Sequence, residues 1–334
     1  MKYRKLGRTG VKVSEIGFGC GNVGGLIIRG TQRERLQAVR RALELGVNYF
    51  DTAPSYGDGQ SEVNLGKVLA ELKPEATIAT KVGLTIDDAD DIPNAVSRSV
   101  ENSLGRLKRE SVDVLQLHTR VALKRNGAGW EGALGVEDVL GPGGVADAFD
   151  TVRDRGYTRF TGFTGLGEAE ALHRLVDSRR FDVVQAYVNL LNPSAGWRVP
   201  ESFYGYDFRQ LIDKASENGL GVAAIRVMAA GALGGEKARR GYAAPQISHR
   251  LVPGGEYVRD GEKADRLSFL VQGDTRSLPQ AAVRFVLSHP GVSTALVGFS
   301  DLQQIEEATT ASELGPLPSS QMERLGTLWA SNFG

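Results

Sequence analysis

Val47-Asn-Tyr-Phe-Asp51-Thr-Ala-Pro-Ser-Tyr56-Gly57 opens a unit that recurs along the chain. The apolar, β-forming run Val47 to Phe50 predicts a short buried strand. A loop with Pro54 and Gly57 follows, then a helix from about Ser61, then a second buried run, Ala76-Thr-Ile-Ala-Thr80. Strand, loop, helix, strand in that order makes the helix a crossover and the two strands parallel. Upstream, Ile16-Gly-Phe-Gly19 reads as another strand. The helix after it starts at Thr31, which has Glu34 at capping-box spacing. Leu36, Val39 and Leu43 give that helix one apolar face, and Gly46 stops it.

Downstream the alternation continues. A helix after Pro93 carries Val96, Val100, Leu104 and Leu107, and Val112 to Leu117 is a strand. A helix near Val145 to Arg155 precedes the strand Thr158 to Phe163, and a helix with Leu172, Leu175 and Val176 precedes the strand Phe181 to Gln185. The helix with Leu211 and Ile212 ends at Gly219 before the strand Gly221 to Ile225. Gln280 to Ser288 is helical, Val292 to Val297 is a strand, and Ser300 with Gln303 caps one more helix. Eight strands, each followed by a helix, predict a closed (β/α)8 TIM barrel, an α/β fold whose closure leaves no sheet edge to protect. Residues 1–334 read as one barrel domain. Residues 1–15 predict a β-hairpin around Gly7-Arg-Thr-Gly10. Residues 119–144 and 228–276 read as long loops after the fourth and seventh strands.

Composition narrows the function. Forty Lys and Arg balance forty Asp and Glu, so no net positive field draws the chain to nucleic acid or to an anionic membrane. Forty-two of 334 residues are glycine, well above the usual share of about 7% and without a collagen-like period, which suits many tight turns. The single cysteine, Cys20, excludes a disulfide scaffold and suits a reducing compartment. The N-terminus is basic but lacks a signal peptide's apolar stretch, and Gly219 to Gly235 is too short and glycine-rich for a membrane span. These features predict a cytoplasmic enzyme or binding protein. No pattern bears on oligomeric state.

In such barrels the chemistry sits at the carboxyl ends of the strands. The second strand ends at Asp51, the third at Lys81 and the fourth at His118, so three ionisable side chains meet at one mouth. Tyr56, five residues past Asp51, can bend back over it. A free phenol has a pKa near 10, too high for ready proton exchange at neutral pH. An ammonium beside it favours the phenolate, and a carboxylate can hold that ammonium in place. Lys81 on Asp51 thereby predicts Tyr56 as a general acid or base, with His118 polarising a substrate oxygen. No base is identified beside Cys20. His118, His173, His249 and His289 are too scattered for a metal site, so no metal is expected. His173 falls on a polar helix face and reads as solvated, and His289 before Pro290 ends a helix.

These residues resemble the aldo-keto reductases. Leu6-Gly-Arg-Thr-Gly10, Val13-Ser-Glu-Ile-Gly-Phe-Gly19, Phe50-Asp-Thr-Ala-Pro-Ser-Tyr-Gly57 and Ser61-Glu62 with Leu65-Gly66 are similar to the family's N-terminal motifs. Ala79-Thr-Lys-Val82, Ser103-Leu-Gly-Arg-Leu107 and Val112-Asp-Val-Leu-Gln-Leu-His118 continue them in order. The resemblance implies a tetrad of Asp51, Tyr56, Lys81 and His118. It also implies hydride transfer between NADP or NAD and a small-molecule carbonyl or alcohol: an aldehyde, a ketone or a sugar.

For the cofactor, the resemblance implies Thr164 and Gln185 at the nicotinamide, although Thr164-Gly165 stands where the family has Ser-Asn. It implies Gly298, Ser300, Gln304 and Glu307 in an adenosine-phosphate loop that opens a helix, with Ala308 replacing the usual asparagine. The family favours NADP, whereas this loop has no Arg or Lys to grip a 2′-phosphate. Where an aromatic ring often stacks on the nicotinamide, this chain has Ile225 and then Arg226. Arg226 is a phosphate or substrate ligand, or one half of an ion pair at the mouth. Trp130, Trp197, Phe203, Tyr204 and Tyr206 are candidates for substrate-pocket walls.

Three alternatives are weighed. Gly19-Cys-Gly-Asn-Val-Gly24 matches a Rossmann pyrophosphate turn, but Leu26 to Thr31 separates it from the capped helix it should open. The second is an NAD-dependent sugar 1-dehydrogenase of the same family. The third is a non-catalytic nicotinamide-binding module, against which the complete tetrad argues.

Overall fold

The computed structural model describes residues 1–127, 129–234, 241–244 and 257–334, with the backbone alone at 257 and 258. Twelve strands are described: β1 Tyr3–Lys5, β2 Lys12–Ser14, β3 Ile16–Gly19, β4 Tyr49–Asp51, β5 Thr77–Val82, β6 Val112–Leu117, β7 Val121–Ala122, β8 Leu134–Gly135, β9 Thr158–Gly165, β10 Val183–Tyr187, β11 Gly221–Ile225 and β12 Thr294–Gly298. The helices are α1 Leu26–Arg29, α2 Gln32–Glu44, α3 Gln60–Leu72, α4 Ile92–Leu107, α5 Val136–Leu140, α6 Val145–Asp154, α7 Ala169–Asp177, α8 Leu211–Glu217, α9 Tyr257–Asp265, α10 Leu278–Leu287, α11 Leu302–Leu314 and α12 Ser319–Ala330. Strands β3, β4, β5, β6, β9, β10, β11 and β12 close into a barrel in that order, each parallel to its neighbour. The expected (β/α)8 architecture is therefore observed, and the Rossmann reading falls with it.

The hairpin closes one end of the barrel. β1 and β2 pair antiparallel, with Arg4 opposite Val13. Their turn presses Gly7, at φ +51°, onto the start of β11, where a Cβ would come within 2.2 Å of the Gly221 amide nitrogen. Only glycine allows both that approach and that backbone. Leu6 and Val13 are fully buried and share an apolar floor with Tyr49, Ala79, Val114, Val183 and Ala223. Polar chemistry is left to the carboxyl ends of the strands.

Several boundaries differ from the sequence expectation. The α2 capping box forms as read, with the Glu34 amide donating to Thr31 Oγ1 at 3.3 Å. The α11 cap lies one residue later than expected: Asp301 caps and accepts from the Gln304 amide at 3.0 Å. Ser300 is buried and instead donates its hydroxyl and amide to Gln304 Oε1 at 3.1 and 2.8 Å. β10 runs two residues past Gln185, because the ladder with β11 continues to Tyr187 opposite Ile225. The stretch 119–144 is not a plain loop: β7 and β8 pair in parallel, α5 follows, and an Arg125–Asp138 ion pair of 2.6 Å ties it down. Two-residue strands are too short to show a period. In the second insertion α9 is helical, while 235–240 and 245–256, His249 among them, lie outside the described residues. No helix among the described residues is long and apolar enough to cross a membrane.

Candidate active site

Asp51 ends β4, Lys81 is the penultimate residue of β5, and His118 follows β6 directly. Three parallel strands in register thus deliver three side chains to one rim. Tyr56 returns to that rim because the loop folds tightly. Its amide bonds Ala53 O at 3.1 Å, and the Gly57 amide bonds Asn22 Oδ1 at 2.9 Å. Gly57 and Gly59, both at positive φ, then turn the chain into α3. The phenol ring lies over Gly21, where a Cβ would touch it at 3.5 Å.

Lys81 Nζ donates to Asp51 Oδ2 at 2.6 Å, to Thr52 O at 2.8 Å and to the Tyr56 hydroxyl at 3.2 Å. All three ammonium donors are used, and the side chain is 0% exposed. Burial, the largest single influence, works against the ammonium, but the Asp51 carboxylate and the Tyr56 oxygen together outweigh it and hold Lys81 above its ordinary value. Burial likewise pushes the Tyr56 phenol up, and the Lys81 charge opposes the rise without reversing it. The sequence expectation of a lowered phenol is corrected here, because at this depth desolvation exceeds the pull of one ammonium. Tyr56 is therefore a protonated phenol at neutral pH, with its oxygen already bonded to a cation. His118 meets the Tyr56 ring edge-on at 5.6 Å between centroids, and its Nδ1 lies 3.3 Å from Ser55 Oγ. Burial, aided by Lys81, holds its imidazole down to about 3, so it is neutral at working pH. Burial and the Asp51 charge push the Cys20 thiol up, which removes it as a nucleophile.

The barrel lining beyond the tetrad includes two glutamines. Gln185 Nε2 donates to Asp51 Oδ1 at 2.6 Å, and Gln116 Nε2 approaches the same oxygen at 3.5 Å. Thr164 stands in register with Gln185 on the neighbouring strand, and its buried hydroxyl has no partner. Along the rim, Gly298, Ser300, Gln304 and Glu307 line one cleft of about 330 Å³ with Gly24, Met228 and Asp301. The Glu307 carboxylate also accepts from the Ser277 hydroxyl. Arg226 is not in that lining. It follows β11 at the catalytic end of the mouth, and its guanidinium makes no ion pair or side-chain hydrogen bond among the described residues. The ion-pair reading of Arg226 has no support there.

A sequence profile described as the Aldo/keto reductase family matches residues 15–330. The chain belongs to the aldo/keto reductase family. It is 28% identical to L-galactose dehydrogenase of Arabidopsis thaliana over 93% of this chain and 88% of that one. It is 25% identical to D-threo-aldose 1-dehydrogenase of a Pseudomonas species over 90% and 89%. Among solved structures, an aldo-keto reductase from Bacillus halodurans in its holo form superposes with a TM-score of 0.69 at 23% identity, covering 98% of this chain and 96% of that one. An aldo/keto reductase from Klebsiella pneumoniae in complex with NADP and acetate gives 0.68 at 20% identity, covering 99% and 96%.

Within this aldo/keto reductase the aromatic candidates separate. Trp130 is buried and packs edge-on to Tyr206 at 5.1 Å. Trp197 stacks on Phe285 of α10 at 4.3 Å and contacts His289 and Trp329, so it is a helix-packing residue rather than a pocket wall. Tyr204 is 56% exposed, and its ring faces Arg259. His173 is half-buried with Nε2 at 3.1 Å from Phe208 O, and His289 pairs with Asp213 at 3.2 Å. Residues not singled out from sequence are Gln116, Ser55, Asn22 and Tyr187. Gln116 alone had a local signal, since it shares a strand face with His118 two residues on.

Proposed function

We propose that this aldo/keto reductase reduces a carbonyl to an alcohol, or runs the reverse, with Tyr56 exchanging the proton. The observation that carries this reading is the relay Tyr56–Lys81–Asp51, at 3.2 and 2.6 Å, opening on a rim where His118 is neutral. A dinucleotide suits the residues present. The unpartnered Thr164 hydroxyl and the Gln185 amide would hold the nicotinamide carboxamide. The cleft of Gly298, Ser300, Gln304 and Glu307 would take the adenosine end. A bound nicotinamide supplies or accepts the hydride. The chain's own residues do the rest: His118 and Tyr56 hydrogen-bond the carbonyl oxygen, and Tyr56 donates its proton as that oxygen becomes an alkoxide. Lys81 stabilises the phenolate left behind until solvent reprotonates it.

The described lining of the adenosine cleft contains Asp301 and Glu307 and no Lys or Arg, which favours NAD over NADP there. A second reading, an NAD-dependent sugar 1-dehydrogenase, is favoured by the names of two relatives. Both are tested by following nicotinamide absorbance with aldehydes and quinones plus NADH or NADPH, and with aldoses plus NAD or NADP. Oxidation of reduced cofactor supports the reductase. Reduction of NAD by aldoses alone shifts the assignment to the dehydrogenase. No change with any pair, despite cofactor binding, would leave a nicotinamide-binding module.

The pH dependence follows from the raised phenol. Carbonyl reduction needs the protonated form and is expected to stay level across neutral pH, falling only as pH rises through the Tyr56 value. Alcohol oxidation needs the phenolate and is expected to climb with pH over the same range. His118, already neutral, adds no limb between pH 5 and 8. Profiles of kcat/KM in both directions check this, and a limb near 6.5 removed by His118→Asn would contradict it.

A further inference from the structure

Arg226 is held in a costly place. Its backbone lies at φ +60°, the left-handed region that a long side chain rarely occupies. Two hydrogen bonds to its carbonyl keep it there, from Asn189 Nδ2 at 3.1 Å and from the Ala229 amide at 2.7 Å. Strain of this kind persists where surrounding structure enforces it, and it clusters at binding and catalytic sites. Arg226 directly follows β11, at the carboxyl end of the barrel where Asp51, Lys81 and His118 stand. The residue before it, Ile225, sits directly opposite Tyr187 of β10, and Tyr187 and Tyr56 lie near enough to influence its charge. The side chain is only partly exposed, so it has lost much of its water. An arginine in that state ordinarily faces a carboxylate. Here none does among the described residues. Asp260 of α9 reaches Tyr187 but does not pair with Arg226.

The cofactor's adenosine cleft does not account for Arg226 either. Its described lining takes in Met228, two residues further on, and omits Arg226. We infer that Arg226 is the binding site for an anionic group of the substrate, a carboxylate or a phosphate, so that preferred substrates are oxo acids or phosphorylated carbonyl compounds rather than neutral aldehydes. The inference rests on the carbonyl-reductase reading and names its substrate class. A guanidinium offers two parallel N–H donors that match either group.

The test uses matched pairs: butanal with succinic semialdehyde, benzaldehyde with 4-carboxybenzaldehyde, and glyceraldehyde with its 3-phosphate. Wild type is expected to prefer at least one anionic member by about tenfold or more in kcat/KM, roughly the effect of one charge-assisted hydrogen bond. Arg226→Met is expected to collapse that ratio through the KM of the anionic member, with Arg226→Lys keeping part of it. The NAD(P)H dissociation constant should hold in both. A wild-type ratio near one, with neutral and anionic members both turned over, overturns the inference and leaves the reductase reading standing. So does a variant that loses cofactor affinity with the ratio intact, since the anion is then the cofactor's own. In parallel, calorimetry titrates the cofactor-bound protein with benzoate and with benzamide. Benzoate binding that Arg226→Met abolishes supports the anion site even if no carbonyl is turned over, in which case only the reductase reading fails. Equal binding of benzoate and benzamide counts against the site.

Discussion

Replacing Tyr56 with phenylalanine is expected to lower kcat for carbonyl reduction by about 10²- to 10⁴-fold, the usual contribution of a positioned acid. The substitution is nearly isosteric. The ring keeps its place over Gly21 and its edge contact with His118, and loses only the hydroxyl that Lys81 contacts at 3.2 Å. The NAD(P)H dissociation constant should therefore change little, a rise in KM would report the lost hydrogen bond to the carbonyl oxygen, and the fall in kcat belongs to the chemical step. Single-turnover measurements with saturating cofactor separate that step from product release. Wild-type kcat in Tyr56→Phe would remove the tyrosine from proton transfer. His118 would then have to be the donor, which its neutral imidazole makes difficult.

The second large effect concerns stability. Lys81→Met and Asp51→Asn are each expected to cost about 3–5 kcal/mol, because each leaves one buried group without its charged partner. Lys81 is 0% exposed and Asp51 4%, so water cannot replace the missing ion. The double variant should lose less than the sum of the single losses, since removing both ions ends the desolvation penalty as well. Urea unfolding of the wild type, both single variants and the double variant measures the coupling. Additive losses would show that the two groups do not act as a pair. The pair's contribution is present at neutral pH. The Lys81 part is lost as pH rises through its folded value, which lies above its ordinary 10.5, whereas burial raises the Asp51 carboxyl, so ionising Asp51 takes some stability away as pH rises past the ordinary carboxylate range. Both single variants should also be inactive, because Tyr56 loses its bonded cation or the group that positions it.

Most of the barrel was legible because its signals are local. A buried strand of a parallel sheet is a short apolar run, and a crossover helix shows a repeating apolar face. Each is read within a window shorter than about 18 residues. The tetrad was legible because the barrel rule turns strand ends into a shared address: once Asp51, Lys81 and His118 stand at strand ends, they must meet. The insertion after β6 was not legible. β7 and β8 are two residues each, and they form because distant segments supply their hydrogen bonds. Trp197 illustrates the same limit, since an aromatic residue in a loop has no period to say whether it faces a pocket or packs on Phe285.

By itself the sequence determined the order of strands and helices, the hairpin ahead of them, and which residue types reach the barrel mouth. Those depend on side-chain periodicity, on glycine and proline positions and on strand polarity, which are properties of neighbours along the chain. Tertiary structure alone decided the protonation of Tyr56, whose phenol rises because burial outweighs Lys81, and the caging of Asp51 by Gln185 and Gln116 from other strands. It also decided that Arg226 stands at the mouth without an ion-pair partner among the described residues. Solvation and Coulomb energies depend on what surrounds a charge in three dimensions, and a linear sequence does not specify those surroundings.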